Sequence, residues 1–133
     1  LDILKAGDYT CVMTDGSETV TSKERGVHPL IKLYDSKKDF SAFSAADKVI
    51  GKAAAMVYVL LGVKEIYSLV ISDAAAEVFS RNGITFYCDK KVPRILNRTN
   101  TGFCPMEEAV KDIDNPYDGL NAVREKLKAL NNQ

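Results

Sequence analysis

The chain has no tryptophan, a single histidine and no excess of either charge, and each shortage closes off a class of function. Eighteen basic residues stand against eighteen acidic ones, so there is no broad positive field to capture nucleic acid or an anionic membrane. The three cysteines, Cys11, Cys88 and Cys104, are odd in number and contain no C-x-x-C pair, which fits a reduced intracellular setting better than a disulfide framework. A zinc site would require all three to converge with His28, and without paired spacing no metal and no cofactor is expected. Gly51-Lys52 is not part of a G-x-x-x-x-G-K-[ST] loop, so phosphate-loop ATP chemistry is unsupported. No stretch supplies the roughly 20 apolar residues of a membrane span. The opening LDILKAGDYT has neither a basic n-region nor an apolar h-region, and a cytoplasmic protein is expected.

What is present is the composition of one globular domain: 133 residues, 46% hydrophobic and 27% charged. Its dominant stretch is Ser44 to Gly62, SAADKVIGKAAAMVYVLLG, which reads as one long helix. Ser44 and Asp47 resemble a capping box, and Val49, Ile50, Ala53, Met56, Val57, Leu60 and Leu61 recur at three- and four-residue steps. Phe43 stands where it could staple the chain to the first turn. Gly51 inside that helix costs about 1 kcal/mol against Ala, so a neighbouring backbone or a ligand is expected to approach there. Lys48 and Lys52 would lie one turn apart, beside exposed helix amides that suit an anion.

Before this stretch, Leu1 to Ala6 reads as the tail of a short helix and Tyr9 to Met13 as a strand. Asp15-Gly16 makes a hairpin to Thr19–Ser22, and Pro29 begins a short helix running to about Tyr34. After it, Gly62 closes the helix, Glu65 to Ile71 is a buried strand, Ser72-Asp73 opens a helix stopped by Asn82-Gly83, and Ile84 to Cys88 is a strand. Lys90 to Phe103 loses periodicity and reads as an ordered functional loop. Cys104-Pro105 and Asn115-Pro116 each start a helix, the second with Leu120, Val123, Leu127 and Leu130 inward. This order implies a mixed sheet with helices on both faces, and a ligand edge beyond the carboxyl ends of its parallel strands.

The segments RGVHPL, FSAADKVIGKAAA, LGVKEIYSLVIS and VPRILNRTNTGFCPMEEA, in this order, resemble the cytidine-deaminase-like fold. Over nearly the whole chain they are similar to a bacterial family of unknown function assigned to it. The resemblance implies an α/β three-layer sandwich and no particular reaction. Zinc deaminases carry H-x-E at the helix after the hairpin and P-C-x-x-C at the next. Read against the elements above, those places hold Asp47-Lys48-Val49 and Ser72-Asp73-Ala74-Ala75-Ala76, which cannot bind zinc.

Lys48, Gly51, Lys52, Ser72, Asp73, Asn97, Arg98 and Cys104 are therefore the candidate ligand-binding residues. The two lysines supply charge, Gly51 clearance, and Asn97 with Arg98 an amide and a forked guanidinium. Each has a plainer role beside this one: solvated lysines, a helix cap at Asp73, a loop brace at Asn97 and Arg98. Cys104 at a helix start is a candidate nucleophile, or a cap with Glu107 reaching back. His28 reads as a cap or turn residue. Three functions are carried forward. The first is a protein binding a small anionic, nucleotide-like ligand. The second is an enzyme on a nucleoside or nucleotide derivative using Cys104, Asp47, Asp73 or Glu107. The third is a scaffold with a vestigial cleft whose work is done by a homodimer surface.

Overall fold

The Asp15-Gly16 turn forms as expected: Asp15 Oδ1 accepts from the amides of Ser17 at 2.8 Å and Glu18 at 2.7 Å, and Gly16 adopts φ 96°. It joins β1 (Cys11–Thr14) to β2 (Thr19–Ser22) in a computed structural model that describes residues 9–22, 27–93 and 105–131. The elements that follow are α1 (His28–Asp35), β3 (Ser44–Ile50), α2 (Lys52–Leu61), β4 (Glu65–Ser72), α3 (Asp73–Arg81), β5 (Thr85–Val92), α4 (Pro105–Val110) and α5 (Pro116–Asn131). One mixed sheet runs β2-β1-β3-β4-β5, with β1 antiparallel to both neighbours and β3, β4 and β5 parallel.

The single long helix expected over Ser44 to Gly62 is two elements. Ser44 to Ile50 is the central strand, inserted between β1 and β4, and the helix begins only at Lys52. Pairing on both edges overrides the helical leaning of Ala45 and Ala46, whose small side chains are buried on opposite faces of the sheet. Ser44 and Asp47 are thus strand residues, not a cap, and Lys48 and Lys52 do not share a helix face. Phe43 packs in the core edge-to-face with Phe40 at 5.0 Å. The far end of the helix matches expectation: Gly62 takes φ 77° and donates to the carbonyls of Tyr58 and Val59.

α2 is the hub. It is buried on most sides, through Ala53, Ala55, Met56, Val57, Tyr58 and Leu61, and all four other described helices pack against it. One core joins these helices to the inward side chains of the sheet, Met13, Ile50, Ile66 and Ile71 among them. The opposite face carries a smaller cluster of Tyr9, Val12, Ala46 and Leu69. The expected second helical layer is not found among the described residues; Leu1 to Ala6, where the sequence predicts helix, lies outside them. β5 extends to Val92, three residues into the expected loop.

α5 starts as predicted, with Asn115 Oδ1 accepting from the amides of Tyr117 and Asp118, and it meets α2 at a glycine. A Cβ on Gly119 would stand 2.1 Å from Met56 Sδ in the fully buried core. Helix propensity alone favours Ala there by about 1 kcal/mol. Overpacking opposes it by about 1–3 kcal/mol. Gly119→Ala is therefore expected to destabilise, by about 1 kcal/mol net in urea unfolding, and the sign should reverse in a Met56→Ala background.

Candidate functional site

The parallel strands end side by side, Ile50 opposite Ile71 and Ser72 opposite Val92, so the starts of α2 and α3 share one edge of the sheet. Of the residues the sequence nominates, Gly51, Lys52, Ser72, Asp73 and Glu107 gather at or against these two starts. Lys48 lies back within β3, its amide donating to Thr10 O at 3.0 Å. Asn97, Arg98 and Cys104 lie outside the described residues.

Gly51 is the N-cap of α2 and has no side chain to satisfy the first amides. Glu107, from α4, supplies the missing acceptor. Its Oε1 takes the Lys52 amide at 2.6 Å and its Oε2 the Ala53 amide at 2.8 Å. The approach depends on the glycine, since a Cβ there would lie 2.3 Å from Oε1. The expectation that something approaches Gly51 is met, by a side chain of the same chain. The expectation that Glu107 caps its own helix is replaced by a cap across to α2. Burial raises the Glu107 pKa, while the Ala53 and Lys52 amides and the Lys52 charge lower it. The Lys52 ammonium donates to the carbonyl of Lys111 at 3.0 Å.

The start of α3 is also satisfied from within. Ser72, buried, accepts from the Ala75 amide at 3.1 Å, so the cap role expected of Asp73 falls to the residue before it. Asp73 is exposed and 3.9 Å from Lys91 Nζ.

Asp47 points away from this edge, into the core, and heads a network the sequence reading missed. Its Oδ2 accepts from Tyr58 OH at 2.7 Å and its Oδ1 from the Val49 amide at 3.3 Å. Tyr58 OH is also 3.1 Å from Cys11 Sγ. Cys11 and Asp47 are register partners on β1 and β3, and Tyr58 comes down from α2. Desolvation pushes the Asp47 pKa up to about 7 against the pull of Tyr58 and two backbone amides, and pushes the Cys11 thiol up to about 12. Cys11 is thus a buried thiol, not a reactive one. The only sequence signal for this group is strand register, which periodicity in a buried central strand does not reveal.

The helix after the hairpin is α1 and the next is α2, so the two helix starts at which the resemblance would put the zinc motifs read His28-Pro29-Leu30 and Gly51-Lys52-Ala53-Ala54-Ala55, not the two strings read from sequence. A histidine does stand at the first, but leucine replaces the glutamate and no cysteine occupies the second. That donor set does not fit zinc. Among the described residues no three His, Cys, Asp or Glu side chains group to hold a metal ion. No described helix is long and apolar enough to cross a membrane. A hollow of about 210 Å³ lies elsewhere, between Tyr34, Asp35, Lys37 and Lys38 and the end of α2 at Leu60 and Leu61.

Residues 1–127 match the model of the TM1506 domain-of-unknown-function family, DUF1893. The chain is also similar to the crystal structure of a DUF1893 family protein from Thermotoga maritima, at 27% identity and a TM-score of 0.88, covering 94% of this chain and 85% of that one. No curated protein matches.

Proposed function

The chain belongs to the DUF1893 family, and from that premise we propose that it is a zinc-independent protein of cytidine-deaminase-like fold that binds a phosphorylated, nucleotide-like small molecule at the start of α2. Support for the fold class is the hairpin followed by parallel crossovers in the order β2-β1-β3-β4-β5, with helix starts aligned beyond the carboxyl ends of β3 and β4.

One observation carries the ligand reading: the seat of Glu107. Two consecutive amides and a side-chain-free Gly51 already hold a pair of oxygens from one anionic group. A phosphoryl group presents the same pair, and Lys52 adds its charge on the same turn. Binding then means exchange, with the ligand displacing Glu107. Asn97 and Arg98 are the proposed orienting groups.

The test is thermal shift against inorganic phosphate, nucleoside monophosphates and sugar phosphates, in the wild type and in Glu107→Gln, which weakens the internal competitor. A ligand at about 100 times its Kd should raise stability by about 2.7 kcal/mol. The shift should be larger in Glu107→Gln and lost in Arg98→Ala. Absence of any shift in both proteins rejects the reading.

A second reading, a scaffold with a vestigial cleft, is favoured by one specific fact: both amides are already satisfied within the chain. It predicts silence across the whole panel, with any function residing in a homodimer surface that sedimentation would reveal.

A further inference from the structure

A carboxylate sealed in a core without a cation has to be explained by what its proton does. Asp47 is 9% exposed and forms no ion pair with any described residue. Every element packed around it offers a neutral group. β1 presents the Cys11 thiol, α2 the Tyr58 hydroxyl, and β4 Ser68, its register partner, which is turned to its own strand at Val70 O. β3 itself contributes the Val49 amide.

With Asp47 protonated, the set is complete and neutral. The carboxyl proton has an acceptor in the Tyr58 hydroxyl oxygen at 2.7 Å, and that hydroxyl can in turn donate to Cys11 Sγ at 3.1 Å. With Asp47 ionised, the same pocket holds a full charge met by one hydroxyl, the Val49 amide at 3.3 Å and a Lys48 amide that donates to Thr10 O, which does not compensate its lost hydration. The relief available is to admit water. Water reaches the carboxylate if Tyr58 of α2 parts from Cys11 of β1 and Asp47 of β3.

We propose that Asp47, Tyr58 and Cys11 form a proton-operated latch that holds α2 against the β1–β3 half of the sheet when the carboxyl is protonated and loosens it on ionisation. The raised pKa of Asp47, about 7, places the working range near neutrality. The latch does not depend on the ligand reading, because none of its three residues belongs to the Glu107 seat.

Native-state hydrogen exchange tests it. After correction for intrinsic chemical rates, the opening constant of α2 and β1 amides in the wild type should rise by roughly tenfold per pH unit from pH 5.5 and level off near the native pKa. Asp47→Asn keeps the shape and can accept from Val49 while donating to Tyr58, so its opening constant should be flat with pH. Tyr58→Phe removes the donor to the ionised form, so its plateau should move to higher pH. A flat wild type, or a slope that survives in Asp47→Asn, overturns the latch. Should Asp47→Asn not fold, the carboxyl carbon shift of Asp47 in the wild type decides: titration near the ordinary value of about 4 overturns it.

Discussion

Gly51→Ala is expected to cost about 2–4 kcal/mol of stability, measured by urea unfolding at pH 7. Backbone geometry is not the reason. Gly51 sits at φ −98° and ψ −178°, extended backbone that alanine adopts freely. The reason is contact. A new Cβ would lie 2.3 Å from Glu107 Oε1, 2.6 Å from Cδ and 2.9 Å from Oε2, so the carboxylate has to leave its seat. Two first-turn amides then lose a charged acceptor, each such bond being worth about 1.5–3 kcal/mol before water takes its place. The double-mutant cycle isolates this cause. In Glu107→Ala there is nothing left to displace, so adding Gly51→Ala should cost less than about 1 kcal/mol. Equal costs in the two backgrounds would show that the glycine is needed for something else.

The Gly51–Glu107 contact also marks how much of the site was legible from the residues alone. A glycine amid apolar residues does imply close approach, and Glu107 is acidic and near a helix start, so both partners were singled out. Their pairing was not, because it joins positions 56 apart in sequence and depends on α4 lying beside α2. The hairpin, β4, α3 and the Gly62 stop were legible, since Asp-Gly, a β-branched run, Ser-Asp and a left-handed glycine each act within a few residues. β3 was not. Paired on both edges, it buries Ala45 and Ala46 on opposite faces and carries Asp47 inward, so it shows no two-residue alternation of apolar and polar residues to set it apart from helix. With that boundary moved, Lys48 left the helix and Asp47 changed from a surface cap into the buried partner of Tyr58. The two zinc-motif places moved by one helix as well. At the second place alanines follow Lys52 as they follow Asp73, while the first now holds His28.

The wild type should be less stable at pH 8 than at pH 5, by about 2–3 kcal/mol, the reverse of what salt-bridged carboxylates produce. Asp47 fixes the sign. In the unfolded chain its carboxyl ionises near 3.8, whereas in the folded protein it holds its proton to about 7. Between those values the native state binds more protons, so stability is fully present below 3.8, falls as pH rises, and has been lost above 7. Glu107, also raised by burial, acts in the same direction, while the exposed Asp15, Asp35 and Asp39, all lowered, act in the opposite one at acid pH. Their solvent exposure screens them, so the buried pair should dominate above pH 5. Asp47→Asn removes the largest contribution. Its stability should be nearly level from pH 5 to 8 and should exceed that of the wild type at pH 8. Denaturant midpoints at four or five pH values are sufficient, and a wild type that gains stability toward pH 8 would mean that Asp47 is ionised in the folded protein and held by a charge the network does not contain.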